Sequence, residues 1–232
     1  MIVEHRLLDT HENEDAAMLC PPRWLAALLV ALCLTASAAG GADVGEPAPE
    51  ARASAAETVE RLHGGLLASM KGGEELGFQG RFDGLRPIVE ETFDLNFMGS
   101  KSVGRYWKKL SPAEKEIWID KFTSFLAANY AGNFDAYDGE SFHTLGEEPA
   151  KRETLVVLTE LRIPNSDDII LNYRLRKTAD GWRIIDIYLK GTVSELALRR
   201  SDFSTTLKAK GFPELAAAVD KKILDLRTKG GG

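Results

Sequence analysis

Asp186 is the carboxylate of this 232-residue chain whose neighbours would change its chemistry most. It stands between Ile185 and Ile187 in an apolar run, and burial there would raise its pKa toward the range in which a carboxyl group works as a general acid or base. Tyr106 and Tyr173 are phenols that would complete such a pair, which is the chemistry of an isomerase or a dehydratase. The plainer reading of Asp186 is a paired or strand-edge aspartate. His63, beside Gly64-Gly65, and His143 have no partner at metal-ligand spacing and read as structural or surface residues. There is no Gly-x-Ser-x-Gly elbow, no glycine-rich phosphate loop and no Cys-x-x-Cys pair. Acyl transfer, nucleotide binding and redox exchange therefore lack a signature, and no metal or cofactor is expected.

Aromatic residues are the other prominent group: Phe93, Phe97, Tyr106, Trp107, Trp118, Phe122, Phe125, Tyr130, Phe134, Tyr173, Trp182 and Tyr188. Most domains of this size use such side chains as core, and the alternative is that they line an apolar pocket.

The elements that must position these residues follow from periodicity. Val59, Leu62, Leu66, Leu67 and Met70 recur at helical spacing, and Gly72-Gly73 is expected to end that helix. A second helical stretch is predicted from about 81 to 93, with Pro87 in its first turns or kinking it. Ser111-Pro112-Ala113-Glu114 is a capping box with proline at the first helical position, and Ile117, Trp118, Phe122, Phe125, Leu126 and Tyr130 follow as an apolar stripe. After Asp138-Gly139 the period shortens to two. Four strands are predicted, at 141–146, 154–163, 169–177 and 182–190, with turns at Pro149, 164–167 and 179–181. Short connections imply an antiparallel meander.

The second strand is apolar on both faces, with Leu155, Val157 and Leu161 against Val156 and Leu158. The fourth sets Ile185, Ile187 and Leu189 against Trp182, Ile184 and Tyr188, so helices should cover much of the sheet. Ser201 is the expected cap of a further helix, Gly211 its stop, and Pro213 the opening of the last one. The fold class is α+β, with helices packed on a curved antiparallel four-strand sheet.

Upstream, Trp24 to Ala39 is an uncharged apolar run preceded by Arg23 and containing Ala36-Ser37-Ala38, the pattern of a cleavable signal peptide. At roughly fifteen residues it falls short of the about 20 that span a bilayer. Glu4, Asp9, Glu12, Glu14 and Asp15 carry the wrong sign for the leading region, so the true start is predicted at Met18. The expected organisation is 1–38 as extension plus signal peptide, 39–53 as a flexible leader and 54–229 as a single domain. Losing 1–38 removes Cys20 and Cys33 and leaves 27 Lys and Arg against 30 Asp and Glu, with no basic field to attract nucleic acid.

Several segments in this order and spacing resemble the MlaC family, periplasmic phospholipid-binding proteins also known as toluene tolerance proteins. They are Phe93-Asp94, Gly104-Arg105-Tyr106-Trp107, Ser111-Pro112, Phe122 to Tyr130, Tyr173-Arg174-Leu175 and Gly181 to Ile187, followed by Gly191 and Ser194. The resemblance spans roughly residues 55 to 226. It implies a fold similar to nuclear transport factor 2, a lipid held in an apolar cavity between sheet and helices, a periplasmic location, no catalysis, and partners in inner- and outer-membrane lipid transport complexes. It further implies lipid-binding roles for Phe97, Tyr106, Phe122, Phe125, Tyr130, Val156, Leu158, Tyr173, Trp182, Ile184 and Tyr188, in a monomer. Where family members usually carry Tyr-Arg-Ser-x-Phe, this chain reads Glu195 to Phe203 with Leu198-Arg199-Arg200-Ser201. That form resembles the hopanoid-associated HpnM branch, so a hopanoid-like lipid stands beside phospholipid as the expected ligand.

Overall fold

The structure is a computed structural model that describes residues 53–229; the expected signal peptide, the start at Met18 and nearly all of the leader lie outside the described residues. Ser54 opens helix α1 (Ala55–Thr92) through a capping box, its hydroxyl accepting from the Glu57 N–H while the Glu57 carboxylate accepts from the Ser54 N–H. Val59, Leu62, Leu66 and Met70 form the buried stripe that their spacing predicts. As expected, the first helical stretch stops at Gly72-Gly73, and a second one runs on to Thr92 after a kink. Gly73 (φ 37°) and Gly77 (φ 58°) take left-handed conformations, and the helix then resumes through Pro87. The buried Arg81 makes the break tolerable. Its guanidinium donates back to the Gly73 carbonyl (2.5 Å) and across to the Ala131 carbonyl (2.9 Å), filling acceptors that the interrupted ladder and the end of a neighbouring helix leave open.

Helix α2 (Leu95–Ser102) follows at a tight joint. Asp94 caps it by accepting from the Phe97 N–H, receives the Arg176 guanidinium, and donates its own N–H to the Ile184 carbonyl at 2.9 Å. A 3-10 turn (Gly104–Lys109) leads into α3 (Pro112–Asn133), which starts at the predicted Ser111–Glu114 box. Gly104 has φ 55°, and a side chain there would collide with the Arg200 guanidinium.

The sheet runs β1 (Ser141–Ala150), β2 (Thr154–Arg162), β3 (Ile169–Thr178), β4 (Gly181–Leu189) and β5 (Val193–Ser194), neighbour beside neighbour and antiparallel throughout. It therefore has five strands where four were expected, because two residues pair with the end of β4 before the next helix. Pro149 lies inside β1, where an edge position spares it the need for a ladder N–H. The turn comes after it, at 151–153, with Arg152 and Glu153 both at positive φ. Arg174 braces that turn by donating to the Lys151 carbonyl and the Thr154 hydroxyl.

Helix α4 (Glu195–Lys210) begins at Ser194, seven residues earlier than the expected Ser201 cap, which is an interior helical residue. Gly211 (φ 86°) ends it as predicted, and α5 (Phe212–Lys229) follows with Pro213 in its first turn. α1 packs on the sheet and on α3, α3 on α5, and α4 on α2 and α5, giving an α+β domain whose helices rest on a curved antiparallel sheet.

Candidate functional site

The largest concentration of aromatic side chains lies where the helices meet the sheet. One run leads from α1 to the sheet: Phe93 against Tyr130, Tyr130 against Phe134, Phe134 against Phe142, and Phe142 stacked on His63 at 4.1 Å. His63 then bonds the Tyr173 hydroxyl through Nε2 at 3.1 Å. A second run, Trp118–Phe203–Phe125, joins α3 to α4 through edge-on contacts. Burial without a charged partner drives the His63 pKa from 6.5 down to about 3 and pushes the Tyr173 phenol up. His63 is thus a neutral core residue, and its partner lies 110 positions away in sequence.

The eleven aromatic and aliphatic candidates do not form one surface. Strand register places Val157, Tyr173 and Ile187 in one row and Leu155, Leu175 and Ile184 in the next, all on the face that α1 covers. Val156 pairs with Arg174, Arg174 with Asp186, and Asn172 with Tyr188, so these residues share the opposite face. Leu158 shares the pleat side of Val156. Tyr173 and Ile184 therefore lie on the α1-covered face, and Tyr130 reaches the same place through Phe93, which bridges to Ile184. Phe122 and Phe125 belong instead to the aromatic group with Trp118 and Phe203, and Val156, Leu158 and Tyr188 are turned away on the opposite face. Trp182 sits at the edge of the covered face, its carbonyl accepting from the Thr58 hydroxyl. Phe97 and Tyr106 lie outside the interface proper, Phe97 beneath the Arg176 guanidinium and Tyr106 in the 3-10 turn beside Arg105 and Lys109.

The three groups considered for acid–base work do not converge. Asp186 accepts from the Ser194 hydroxyl (2.7 Å), the Leu196 N–H (3.1 Å) and the Ile187 N–H. It lies on the face away from the Tyr173 hydroxyl, which His63 holds, while the Tyr106 hydroxyl accepts from Arg105. Burial still raises the Asp186 pKa against the opposing pull of those donors and of Arg174. Its role is to fasten the first turn of α4 to β4, alongside Ser194, which caps the helix by accepting from the Ala197 N–H. Replacing Asp186 with alanine is expected to cost about 1–2 kcal/mol at neutral pH, and asparagine, which keeps the acceptor without the buried charge, less than half of that. Urea titrations of the two variants measure both values, and equal losses would show that charge, not acceptance, holds α4.

A family model described as MlaC protein matches residues 60–221. The chain belongs to the MlaC family. Its fold is also that of a solved phospholipid-binding protein from Ralstonia solanacearum, determined in complex with a phospholipid. That protein is 23% identical, and the match has a TM-score of 0.66 over 75% of this chain and 99% of the other. The segments that carry the resemblance in this MlaC chain are mostly joints: Phe93-Asp94 couples α1 and α2 to β4, Gly104 admits Arg200, and Asp186 with Ser194 anchors α4.

This MlaC chain also has an outward-facing cleft of about 560 Å³ between the second half of α1, α2, the 3-10 turn and α3. Leu95, Trp107 and Ile119 give it an apolar floor, and Arg86, paired with Glu90 and Asp120, gives it a charged rim. None of the eleven candidates lines it. Of its residues only Trp107 stands out in the sequence, as one of many aromatics.

Proposed function

We propose that this protein binds a lipid, phospholipid or hopanoid-like, between its helical layer and the α1-covered face of its sheet. It carries that lipid through the periplasm between inner- and outer-membrane complexes and performs no chemistry on it. The observation that carries this reading is the fold shared along 99% of a chain solved with a phospholipid bound. The buried Tyr173 and Ile184 beside the sheet, Tyr130 packed against the same core and the buried Phe122 and Phe125 on α3 support it, as does the scattering of the acid–base candidates. No described helix is long and apolar enough to cross a membrane.

Two acyl chains hold about 30 methylenes, and at about 0.8 kcal/mol each their transfer from water is worth roughly 24 kcal/mol. A lipid therefore needs a carrier to cross an aqueous space. Exchange between a bilayer and an apolar pocket is nearly neutral by comparison, so direction comes from docking to the membrane complexes. Tyr173 and Ile184 are already buried against protein, so a lipid enters only by parting the helices from the sheet. Native mass spectrometry of protein taken from its own periplasm without detergent is expected to show a lipid-sized mass increment that dissociates on activation. Protein that flies at its bare polypeptide mass in that experiment overturns the carrier reading.

A further inference from the structure

Glu195 and Arg199 stand one turn apart at the start of α4, carboxylate to guanidinium at 2.5 Å, with side chains only 20% and 15% exposed. The chain's surface pairs differ sharply; Lys221 and Asp225, for instance, are 74% and 52% exposed. An ion pair taken this far out of water is costly unless its remaining donors are used. One is not. The Arg199 Nε–H is buried and donates to nothing, the one buried side-chain nitrogen or oxygen without a partner among the described residues. The guanidinium lies over the Phe125 ring, 5.0 Å from its centroid, and Phe203 closes against the same ring.

The Tyr130 phenol is within the electrostatic reach of Glu195, Arg199 and Tyr173, and its hydroxyl makes no hydrogen bond with any described residue. Two donors, Arg199 Nε–H over Phe125 and Tyr130 O–H between Phe93 and Phe134, thus stand within electrostatic reach of each other among aromatic side chains.

We infer that the Glu195–Arg199 pair and Tyr130 form the polar end of the ligand site and grip an uncharged oxygen of the ligand, an ester carbonyl or a hydroxyl. This rests on the lipid-carrier reading above. Charge decides the class of acceptor. Glu195 already neutralises Arg199, so a phosphodiester drawn into the same place would leave one negative charge unbalanced beside a carboxylate in an apolar setting. A carbonyl or hydroxyl oxygen satisfies Nε–H without adding charge, and a charged headgroup then stays outside with the solvent.

The test is competitive loading of the full protein with two matched pairs, read by native mass spectrometry. The first pair is a diacyl phosphatidylglycerol and its dialkyl ether analogue, which lacks the carbonyls. The second is a hydroxylated polycyclic lipid and its deoxy parent. The carbonyl-bearing member of the first pair or the hydroxyl-bearing member of the second is expected to be retained about ten-fold better, the value of one hydrogen bond from a charged donor. Preference in the first pair names a glycerolipid ester as the source of the oxygen, and preference in the second names a hydroxyl. That ratio is expected to fall to near one in Glu195→Gln/Arg199→Met, which strands no charge, and in Arg199→Lys, which keeps the ion pair but has no donor at the Nε position. Equal retention within both pairs by the wild type, or an unchanged ratio in the variants, overturns the inference while leaving the carrier reading in place. Failure to retain any of the four lipids removes the carrier reading itself.

Discussion

Arg81→Met is expected to lower the unfolding free energy by about 3–5 kcal/mol, the largest loss from any single substitution considered for this protein. Methionine fills much of the same volume, so the loss does not come from a cavity. It comes from the carbonyls of Gly73 and Ala131, which would be left without the donor that now reaches both. An unsatisfied buried acceptor costs about 1–3 kcal/mol, and one of these sits at the break in α1, where no ladder bond can replace the guanidinium. Arg81→Lys keeps the charge but offers a single point of donation, so about half the loss is expected. Urea-induced unfolding with an unchanged slope measures both variants. An Arg81→Met midpoint equal to that of the wild type would mean that the two carbonyls find other partners and that the broken helix does not depend on this residue.

Acid is expected to weaken the fold through His63. Its pKa is about 3 in the native protein and about 6.5 when unfolded. Above pH 6.5 neither state holds the extra proton and the contribution is zero. Between 6.5 and 3 the unfolded chain takes up a proton that the native protein refuses, so stability falls with pH at up to about 1.4 kcal/mol per unit, about 4–5 kcal/mol in all. Asp186 acts with the opposite sign, because a carboxyl whose native pKa is raised gains stability as it is protonated. The comparison that isolates His63 is His63→Gln, whose neutral amide keeps a partner for the Tyr173 hydroxyl. The variant's stability is expected to decline more shallowly than that of the wild type from pH 6.5 downward, with the two close at pH 7.5. Parallel curves across that range would show that His63 takes up its proton in the native state.

The readable parts of the fold were those in which a short segment contains its own cause. The Ser111–Glu114 box, the stripe through Leu62 and Leu66 and the Gly211 stop each depend on residues within a few positions of one another. What the sequence hid depends on distant partners. Gly72-Gly73 marks the break in α1 correctly, but nothing nearby shows that Arg81 will cap it. Ser194 caps α4 locally through the Ala197 N–H, but its fastening by Asp186 is not local, and the turn at Arg152-Glu153 carries no glycine or asparagine where Arg174, from another strand, braces it. The same limit divides the candidate site. Tyr173, Ile184 and Tyr130 are joined through His63 and Phe93, but β2 is apolar on both faces, and only the pairing of Val156 with Arg174 shows which side looks away from α1. The unpaired Arg199 nitrogen lies in the very segment whose departure from the family pattern was visible, though its burial was not.

The distance between α1 and its partners also sets an order of assembly. Of the described elements α1 leaves the ribosome first, yet Thr58 waits for Trp182, 124 residues later, and His63 for Tyr173, 110 residues later. The β1 to β4 hairpins, by contrast, pair with neighbours only a turn away. Among the described elements the apolar stripe of α1 is therefore the earliest surface made, and part of it waits for β4, an interval in which the nascent chain is most exposed to aggregation. Any product that terminates before β4 is complete carries that part of the stripe permanently uncovered, so truncated chains should be cleared by proteolysis and should not persist as partly folded carriers.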